Sequence, residues 1–89
     1  MTHAGKGDFH GITVVVDTAG PVYVGRFFEE RDGQLLLLDV DSHEEGQDGE
    51  SKSDYLRKSA RFGVWKKHAS LRVPTVEVIS MRALTEISG

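Results

Sequence analysis

The chain has 89 residues, no cysteine, and 11 basic against 14 acidic residues, which gives a formal net charge of −3 at pH 7. This length predicts one domain, and the absence of cysteine excludes disulfide bonds and cysteine-based zinc sites. No apolar run reaches the ~18 residues that a membrane-spanning helix needs. The charge is divided, because residues 1–50 hold three Lys/Arg and eleven Asp/Glu while residues 51–89 hold eight and three. This division predicts either an acidic and a basic face or complementary faces on neighbouring copies.

Residues 1–11 are predicted to be a flexible N-terminal tail that joins the fold at Phe9, and residues 12–89 to be the folded domain. The tail lacks the apolar segment of a secretory signal, so a cytoplasmic protein is expected. His3 and His10 could act as metal ligands, but a mobile surface tail explains them better. No metal site and no cofactor are predicted.

Alternating apolar residues predict three strands in the first half of the chain. The first strand covers Ile12–Asp17, and the second covers Val22–Arg31 with Gly25 inside it, where a glycine marks a sharp bend or a close approach. Asp32-Gly33 predicts a tight turn into a third strand at Leu35–Val40. That strand contains four consecutive leucines, so both of its faces need cover.

The segment 41–63 is predicted to be an insert between the third and fourth strands, with an acidic loop over 41–53 and a short helix over Lys52–Phe62. Ser51 is the expected N-cap and Gly63 the expected stop. A helix this short is not stable alone and must pack on another part of the protein, and the face expected to do so carries Tyr55, Leu56, Ser59, Ala60 and Phe62. The opposite face carries Arg57, Lys58 and Arg61.

Two further strands are predicted at Val64–Val73 and Val76–Leu84, joined at Pro74-Thr75 because proline cannot donate to a central ladder. Trp65 and Leu71 are the large apolar members of the fourth strand. Alternation in the fifth strand places Val76 and Val78 on one side and Ile79 and Met81 on the other. The fold class is therefore all-β, with five strands and one short inserted helix.

Two stretches together resemble the Sm-like (LSm) family. The first runs over residues 14–27 and 32–39, with two glycines separated by four residues, an acidic tight turn and an apolar strand that ends in Asp. The second is residues 71–80, an apolar residue followed by Arg, turn residues and an alternating strand. The resemblance implies a small, strongly bent, five-stranded open barrel of the Sm-like or SH3-like type.

The resemblance also implies self-association. Such subunits close into a homo-oligomeric ring in which the fourth strand of one copy pairs with the fifth strand of the next. In the family, the turns after the second and fourth strands line the pore and can hold RNA bases. Asp32 matches the acidic turn residue of the family and Arg72 matches the arginine of its second motif, so Arg72, Asp32 and Gln34 are the predicted pore residues.

Other positions depart from the family pattern. The asparagine that hydrogen-bonds a base falls on Leu36 or next to it, and the glycine after the second-motif arginine is Val73. The stacking position falls near Gly33 or Gln34, neither of which is a strong stacking surface. The resemblance therefore implies an altered RNA-binding role.

A basic segment is the second candidate site, because phosphates need several cations on one surface. Its predicted binding residues are Arg57, Lys58, Arg61, Lys66 and Lys67. Phe62 and Trp65 are interleaved with them, and an exposed aromatic side chain can stack a base. The alternative is that both aromatic residues are core and that the cations are solvated or paired with acids.

Metal binding and catalysis are less well supported by the sequence. Asp39, Asp41, Glu45 and Glu50 fall on EF-hand ligand positions, but Glu44 occupies the position that needs glycine, and a solvated loop is preferred. Asp41, His43 and Glu45 could in principle hold a divalent cation, but three such residues on one loop are more often polar surface. No nucleophile elbow and no phosphate-binding glycine loop occur, so no enzyme and no catalytic residue are predicted.

Two function hypotheses remain open. The first is a ring-forming Sm-like protein with an altered role in binding single-stranded RNA. The second is a structural or adaptor module of the same oligomeric form, which binds protein partners through Leu, Phe and Trp surface and has no nucleotide pocket. A partner in the membrane is not predicted.

Overall fold

The computed structural model describes residues 9–87, which form one five-stranded antiparallel sheet and one α-helix. The strands are β1 (Thr13–Thr18), β2 (Val22–Arg31), β3 (Gln34–His43), β4 (His68–Pro74) and β5 (Val78–Ala83). Helix α1 (Lys52–Phe62) lies between β3 and β4, as predicted. The strand order is β4-β3-β2-β1-β5, so β4 and β5 form the two edges of the sheet.

Two apolar clusters occupy the two sides of this sheet because strand residues alternate between its faces. Val14, Val16, Phe27, Leu35, Leu37, Val40 and Val73 form the first cluster, inside the bend of the sheet. Val15, Val22, Val24, Tyr55 and Leu56 form the second cluster, under α1. The β1 strand is thus covered on both sides, which explains its three consecutive buried valines, Val14, Val15 and Val16.

Gly25 lies where β2 and β3 approach each other closely. A Cβ atom at this position would lie 2.9 Å from Val40 Cγ2 and 3.1 Å from the carbonyl oxygen of Leu38. The register between β2 and β3 shifts on both sides of Phe27, which is how a strand bends sharply. The predicted close approach at Gly25 is confirmed.

Helix α1 has the predicted bounds and caps. Ser51 Oγ accepts a hydrogen bond from Asp54 N at 3.1 Å, and the helix ends at Gly63, which has φ = 100°. Tyr55, Leu56 and Ser59 are buried as expected. The prediction that Phe62 is buried is wrong: it is 78% exposed, because it is the last helical residue and no described element covers it.

The insert differs from its prediction at its start. Asp41–His43, predicted as loop, continues β3 and pairs with Val22–Val24 of β2. A short 3₁₀ turn at Gln47–Gly49 follows, before α1.

The last two strands also start later than predicted. The last ladder pair between β3 and β4 joins Val40 to His68, so residues 64–67 have no strand partner. Thr75–Glu77 forms a 3₁₀ turn before β5. The predicted alternation in β5 is wrong, because a register shift against β1 leaves Ile79 without a partner residue in the ladder. Val78 and Met81 therefore both pack on the first cluster, while Ile79 is 67% exposed.

At the N-terminus, Phe9 packs against the first cluster and Gly11 N donates to Phe27 O at 2.8 Å. His10 Nδ1 lies 2.6 Å from Phe28 O. His3 and most of the predicted tail lie outside the described residues. No helix within residues 9–87 has both the length and the apolar character that crossing a membrane requires.

Candidate functional site

The turns after β2 and β4 lie side by side. Asp32 and Gly33 have φ values of 54° and 75°, which is the geometry of a tight two-residue hairpin turn. The carbonyl oxygen of Gly33 accepts hydrogen bonds from Thr75 N at 2.8 Å and from Thr75 Oγ1 at 3.0 Å. These two bonds hold the turn that carries Asp32 against the turn that follows Arg72.

Arg72 and Gln34 lie on one face of the sheet. Arg72 is directly opposite Leu36 and Gln34 is opposite Pro74 in the ladder between β3 and β4, and residues two apart in a strand share a face. Arg72 and Asp32 are exposed, and Gln34 is half-buried. The predicted pore residues Arg72, Asp32 and Gln34 are therefore brought together, and we call them the two-turn site.

The two-turn site offers polar groups without an aromatic platform. The guanidinium of Arg72 has five donors and can stack or bind phosphate, and the amide of Gln34 can donate and accept. Leu36 is half-buried between them, and Val73 is 1% exposed. No ion pair of Arg72 occurs among residues 9–87, so its charge is available to a ligand.

The basic surface consists of the exposed residues Arg57, Lys58, Arg61, Lys66 and Lys67. Lys58 Nζ lies 2.6 Å from Glu50 Oε2, Lys67 Nζ lies 3.4 Å from Asp41 Oδ1, and Arg57 pairs with Asp54. The hydrogen bond from Lys58 to Glu50 and the charge of Glu50 raise the pKa of Lys58. Acidic residues from 41–54 therefore neutralise three of these five cations.

Arg61 and Lys66 are the remaining cations of the basic surface, and within the described part of the chain neither has an ion pair. The guanidinium carbon of Arg61 lies 5.5 Å from the centre of the Phe62 ring. Trp65 is 79% exposed and Phe62 is 78% exposed. The alternative in which both aromatic residues are core is therefore wrong, whereas the pairing of cations with acidic neighbours is observed.

A cleft of about 390 Å³ lies between the end of β3, helix α1 and the segment 63–67. Its inner wall contains Asp41, His43 and Tyr55, which are 2%, 4% and 8% exposed. Tyr55 OH donates to Asp41 Oδ2 at 2.7 Å. The rings of His43 and Tyr55 stack at 4.5 Å with 5° between their planes, and His43 Nε2 donates to Glu50 O at 2.8 Å.

Asp41 Oδ1 is buried and has no hydrogen-bond partner in the described residues. The ammonium of Lys67 at 3.4 Å forms an ion pair with it, but the groups are not aligned for a hydrogen bond. Burial, followed by the hydrogen bond to Asp41, raises the pKa of Tyr55 well above its ordinary value of 10.0. The Tyr55 hydroxyl therefore stays protonated and continues to donate to Asp41.

The sequence alone does not reveal this cleft. It suggests Asp41, His43 and Glu45 as cation ligands on a loop, but Asp41 and His43 are buried in β3 and Glu45 is exposed. Glu45 Oε1 accepts from Lys52 N at 3.1 Å. Of the other EF-hand positions, Asp39 pairs with Arg26 at 3.2 Å and Glu50 pairs with Lys58. The one available signal is the Tyr55 hydroxyl on the apolar face of α1, which needs a buried partner.

Comparison with known proteins identifies the fold. No protein-family model and no curated protein matches the sequence. Among solved structures, the chain is similar to a Pyrococcus abyssii Sm protein in complex with a uridine heptamer, with a TM-score of 0.59 and 15% identity over 86% of this chain and 89% of that chain. It is also similar to a chain of the NatC complex bound to CoA, with a TM-score of 0.61 and 18% identity over 98% of this chain and 94% of that chain. The predicted fold class is confirmed: the chain has an Sm-like fold, with five antiparallel strands in a bent sheet and one short inserted helix.

Proposed function

We propose that this chain is a ring-forming Sm-like protein that binds single-stranded RNA through Arg72, Gln34 and Asp32. The observation that carries the proposal is the contact between the two turns, which gathers these side chains at one end of β3 and β4. The sequence resemblance to the Sm-like family supports it. The structural similarity to an Sm protein whose structure contains a uridine heptamer also agrees with it.

The ring is proposed from the two edges of the sheet. Within residues 9–87, β4 and β5 each pair with a strand on one side only. Unpaired edges favour association, and pairing β4 of one copy with β5 of the next would complete both ladders. Val76 and Ile79, which are 92% and 67% exposed, add apolar surface beside β5. In such a ring the two-turn site would repeat once per copy.

The proposed binding is weakly selective for bases. Leu36 cannot hydrogen-bond a base edge, and the two-turn site has no aromatic side chain for stacking. Arg72 would contact phosphates or stack on a base by its guanidinium plane, and Arg61 and Lys66 would add phosphate contacts. Phosphate contacts displace counterions, so the affinity should fall as salt is added.

The test compares two single substitutions of exposed arginines on the edge strands, Arg72→Ala and the control Arg82→Ala. Binding to a labelled oligouridine is measured by fluorescence anisotropy between about 50 and 200 mM salt. We expect wild-type binding to weaken with salt, and Arg72→Ala to reduce the slope of log affinity against log salt by about 0.7 for each phosphate that the arginine neutralises. Arg82→Ala should bind as the wild type does. Absence of binding at the lowest salt, or equal effects of both substitutions, would refute the proposal.

The exposure of Phe62 and Trp65 favours a second candidate, an adaptor that binds a protein partner. Aromatic side chains are enriched among the residues that contribute most to protein interfaces. The adaptor hypothesis predicts that a protein partner co-purifies with the wild-type chain after nuclease treatment. The same partner should not co-purify with the Trp65→Ala variant. Co-purification that depends on RNA would instead favour the first candidate.

A further inference from the structure

We propose that the cleft between β3 and α1 binds one unpaired RNA base, which donates an N–H to Asp41 Oδ1 and stacks on Trp65. The inference rests on the proposed function, since it adds a second contact for the same single strand. This cleft is separate from the two-turn site, because it is formed by the insert and by the opposite end of β3.

The first argument is the incomplete hydrogen bonding of Asp41. Its side chain is 3% exposed, Oδ2 accepts from Tyr55, and Oδ1 has no hydrogen-bond donor in the described residues. Buried carboxylate oxygens are normally satisfied by hydrogen bonds, because burial removes the water that would otherwise bind them. The side chain of Lys67 is 54% exposed beside Oδ1. It can therefore turn outward and give a ligand access to this oxygen.

The second argument is what this acceptor requires of a ligand. An ionised carboxylate can only accept hydrogen bonds, so the ligand must bring a donor. Each RNA base carries an N–H on its Watson–Crick edge, but in a duplex that group is already bonded to the other strand. The cleft therefore selects an unpaired base over a paired one.

The third argument is the surroundings of the acceptor. Trp65 and Phe62 line the same cleft and expose most of their ring surface, and exposed aromatic rings stack bases. Lys58 and Lys67 also line the cleft, whereas Asp48 and Glu50 are on its loop side. A bound RNA strand would therefore pass along the side of the cleft that helix α1 forms, away from Asp48 and Glu50. When Lys67 leaves Asp41, its ammonium becomes available to a phosphate of the same strand.

Trp65 is the only tryptophan in the chain, so its fluorescence reports on the cleft directly. The full chain is titrated with short single-stranded homopolymers of U, A and C, and total binding is followed in parallel by anisotropy of labelled RNA. We expect at least one homopolymer to quench Trp65 and a duplex of the same sequence to leave its fluorescence unchanged. Methylation of the Watson–Crick N–H groups of that homopolymer, as in N3-methyluridine, should weaken the quenching interaction roughly tenfold.

A charge-matched pair of variants separates hydrogen bonding from electrostatics. Asp41→Asn and Asp48→Asn each remove one negative charge from the cleft lining, which by itself should strengthen RNA binding. We expect Asp48→Asn to bind at least as well as the wild type, and Asp41→Asn to weaken the quenching interaction roughly tenfold or more. Circular dichroism checks that both variants fold. If Asp41→Asn does not fold, the comparison of methylated and unmethylated oligomers on the wild-type chain still tests whether the base donates to Asp41.

The two readouts distinguish the two proposals. RNA binding by anisotropy without a change in Trp65 fluorescence would overturn the base-binding cleft, leave the proposed function standing and assign the aromatic pair to a protein partner. No RNA binding by either readout at low salt would overturn both. Equal effects of the two asparagine variants on the quenching of Trp65, or equal quenching by methylated and unmethylated oligomers, would overturn the proposal of a base-binding cleft and leave the proposed function standing.

Discussion

Tyr55 links helix α1 to strand β3 through three kinds of contact. Its ring belongs to the apolar cluster under the helix, the same ring stacks on His43, and its hydroxyl donates to Asp41. A phenol suits this position because one end is apolar and the other polar. The residue therefore contributes both to helix docking and to the shape of the cleft.

The raised pKa of Tyr55 predicts alkaline destabilisation. Burial is the main cause, and an unfolded chain would ionise this hydroxyl near pH 10.0 while the folded chain keeps it protonated. The contribution of Tyr55 to stability is therefore complete below about pH 10 and is lost as pH rises further. Unfolding by urea, followed at several pH values between about 8 and 11, should show this decline in the wild type.

Tyr55→Phe is the matching variant. At neutral pH it should unfold more easily by about 1–3 kcal/mol, because Asp41 loses the hydroxyl that donates to Oδ2. Its stability should decline less steeply than that of the wild type above pH 10. Tyr23→Phe is the comparison variant: burial and the charges of Glu77 and Glu44 also raise the pKa of Tyr23, but Tyr23 is only half-buried and lies outside the cleft. Its substitution should therefore change the alkaline decline less than Tyr55→Phe does. Parallel alkaline declines in the wild type and Tyr55→Phe would contradict the assignment.

At the scale of elements, the bend of β2 depends on a missing side chain. Gly25 faces Val40, which is fully buried and has a branched, stiff side chain, and the main chain of Leu38 is almost as close. An added methyl group must therefore push two strands apart. The nearest atoms include no flexible side-chain end that could move instead.

We expect Gly25→Ala to lower the free energy of unfolding by about 1–3 kcal/mol, as overpacking of a core does. Gly20→Ala is the matched control, because the nearest atom to its added Cβ would be Thr18 Oγ1 at 3.8 Å. Urea denaturation of both variants measures the difference. A loss of stability of the same size in both would show that the close approach at Gly25 is not the cause.

Sequence patterns predict an element accurately when its ends are determined by residues within or next to that element. Ser51 and Gly63 determine the ends of α1 by their own backbone and side-chain preferences, so the helix could be predicted residue for residue. The start of β4 depends instead on where its partner in β3 stops pairing, and Trp65 looks like a strand residue in sequence. The bulge at Ile79 arises from the register with β1, which the sequence of β5 alone does not contain.

The candidate sites differ in the same way. The two-turn site could be predicted because the family resemblance implies which turns meet, and Gly33 and Thr75 do meet. The cleft could not, because it combines Asp41, Tyr55 and Trp65 from three separate segments. An aspartate within an acidic run also gives no sign that it is buried.

At the scale of the whole molecule, the acidic and basic halves of the sequence contact each other within one chain. Lys52 pairs with Asp17 at 3.0 Å, and Lys58 and Lys67 pair with acidic residues that precede the helix. The pair of Lys58 with Glu50 is exposed at the lysine and contributes little to stability, whereas Lys67 pairs with a buried carboxylate. These pairs reduce the net field of the basic surface, so binding of nucleic acid there depends on specific contacts more than on overall charge.

The proposed ring predicts a native mass well above the 9.8 kDa of one chain. Light scattering with and without nuclease measures this mass and detects co-purifying nucleic acid. Ile79→Glu should shift the mass toward that of a single copy, because it places a charge beside the β5 edge. Ile12→Glu, at a 40% exposed position beside the interior strand β1, is the control. A wild-type chain that stays folded as one copy when dilute would refute the ring.

The β4 and β5 edges are different surfaces, so an assembly built by joining them is directional. Each added copy is rotated by the same angle relative to the last, and that angle follows from how tightly the sheet curls near Gly25. Closure requires the repeated angle to divide a full turn, and otherwise the same contact produces a helical filament. A change in curvature would therefore alter the number of copies, or convert a closed assembly into an open one, without touching a single residue at the contact itself.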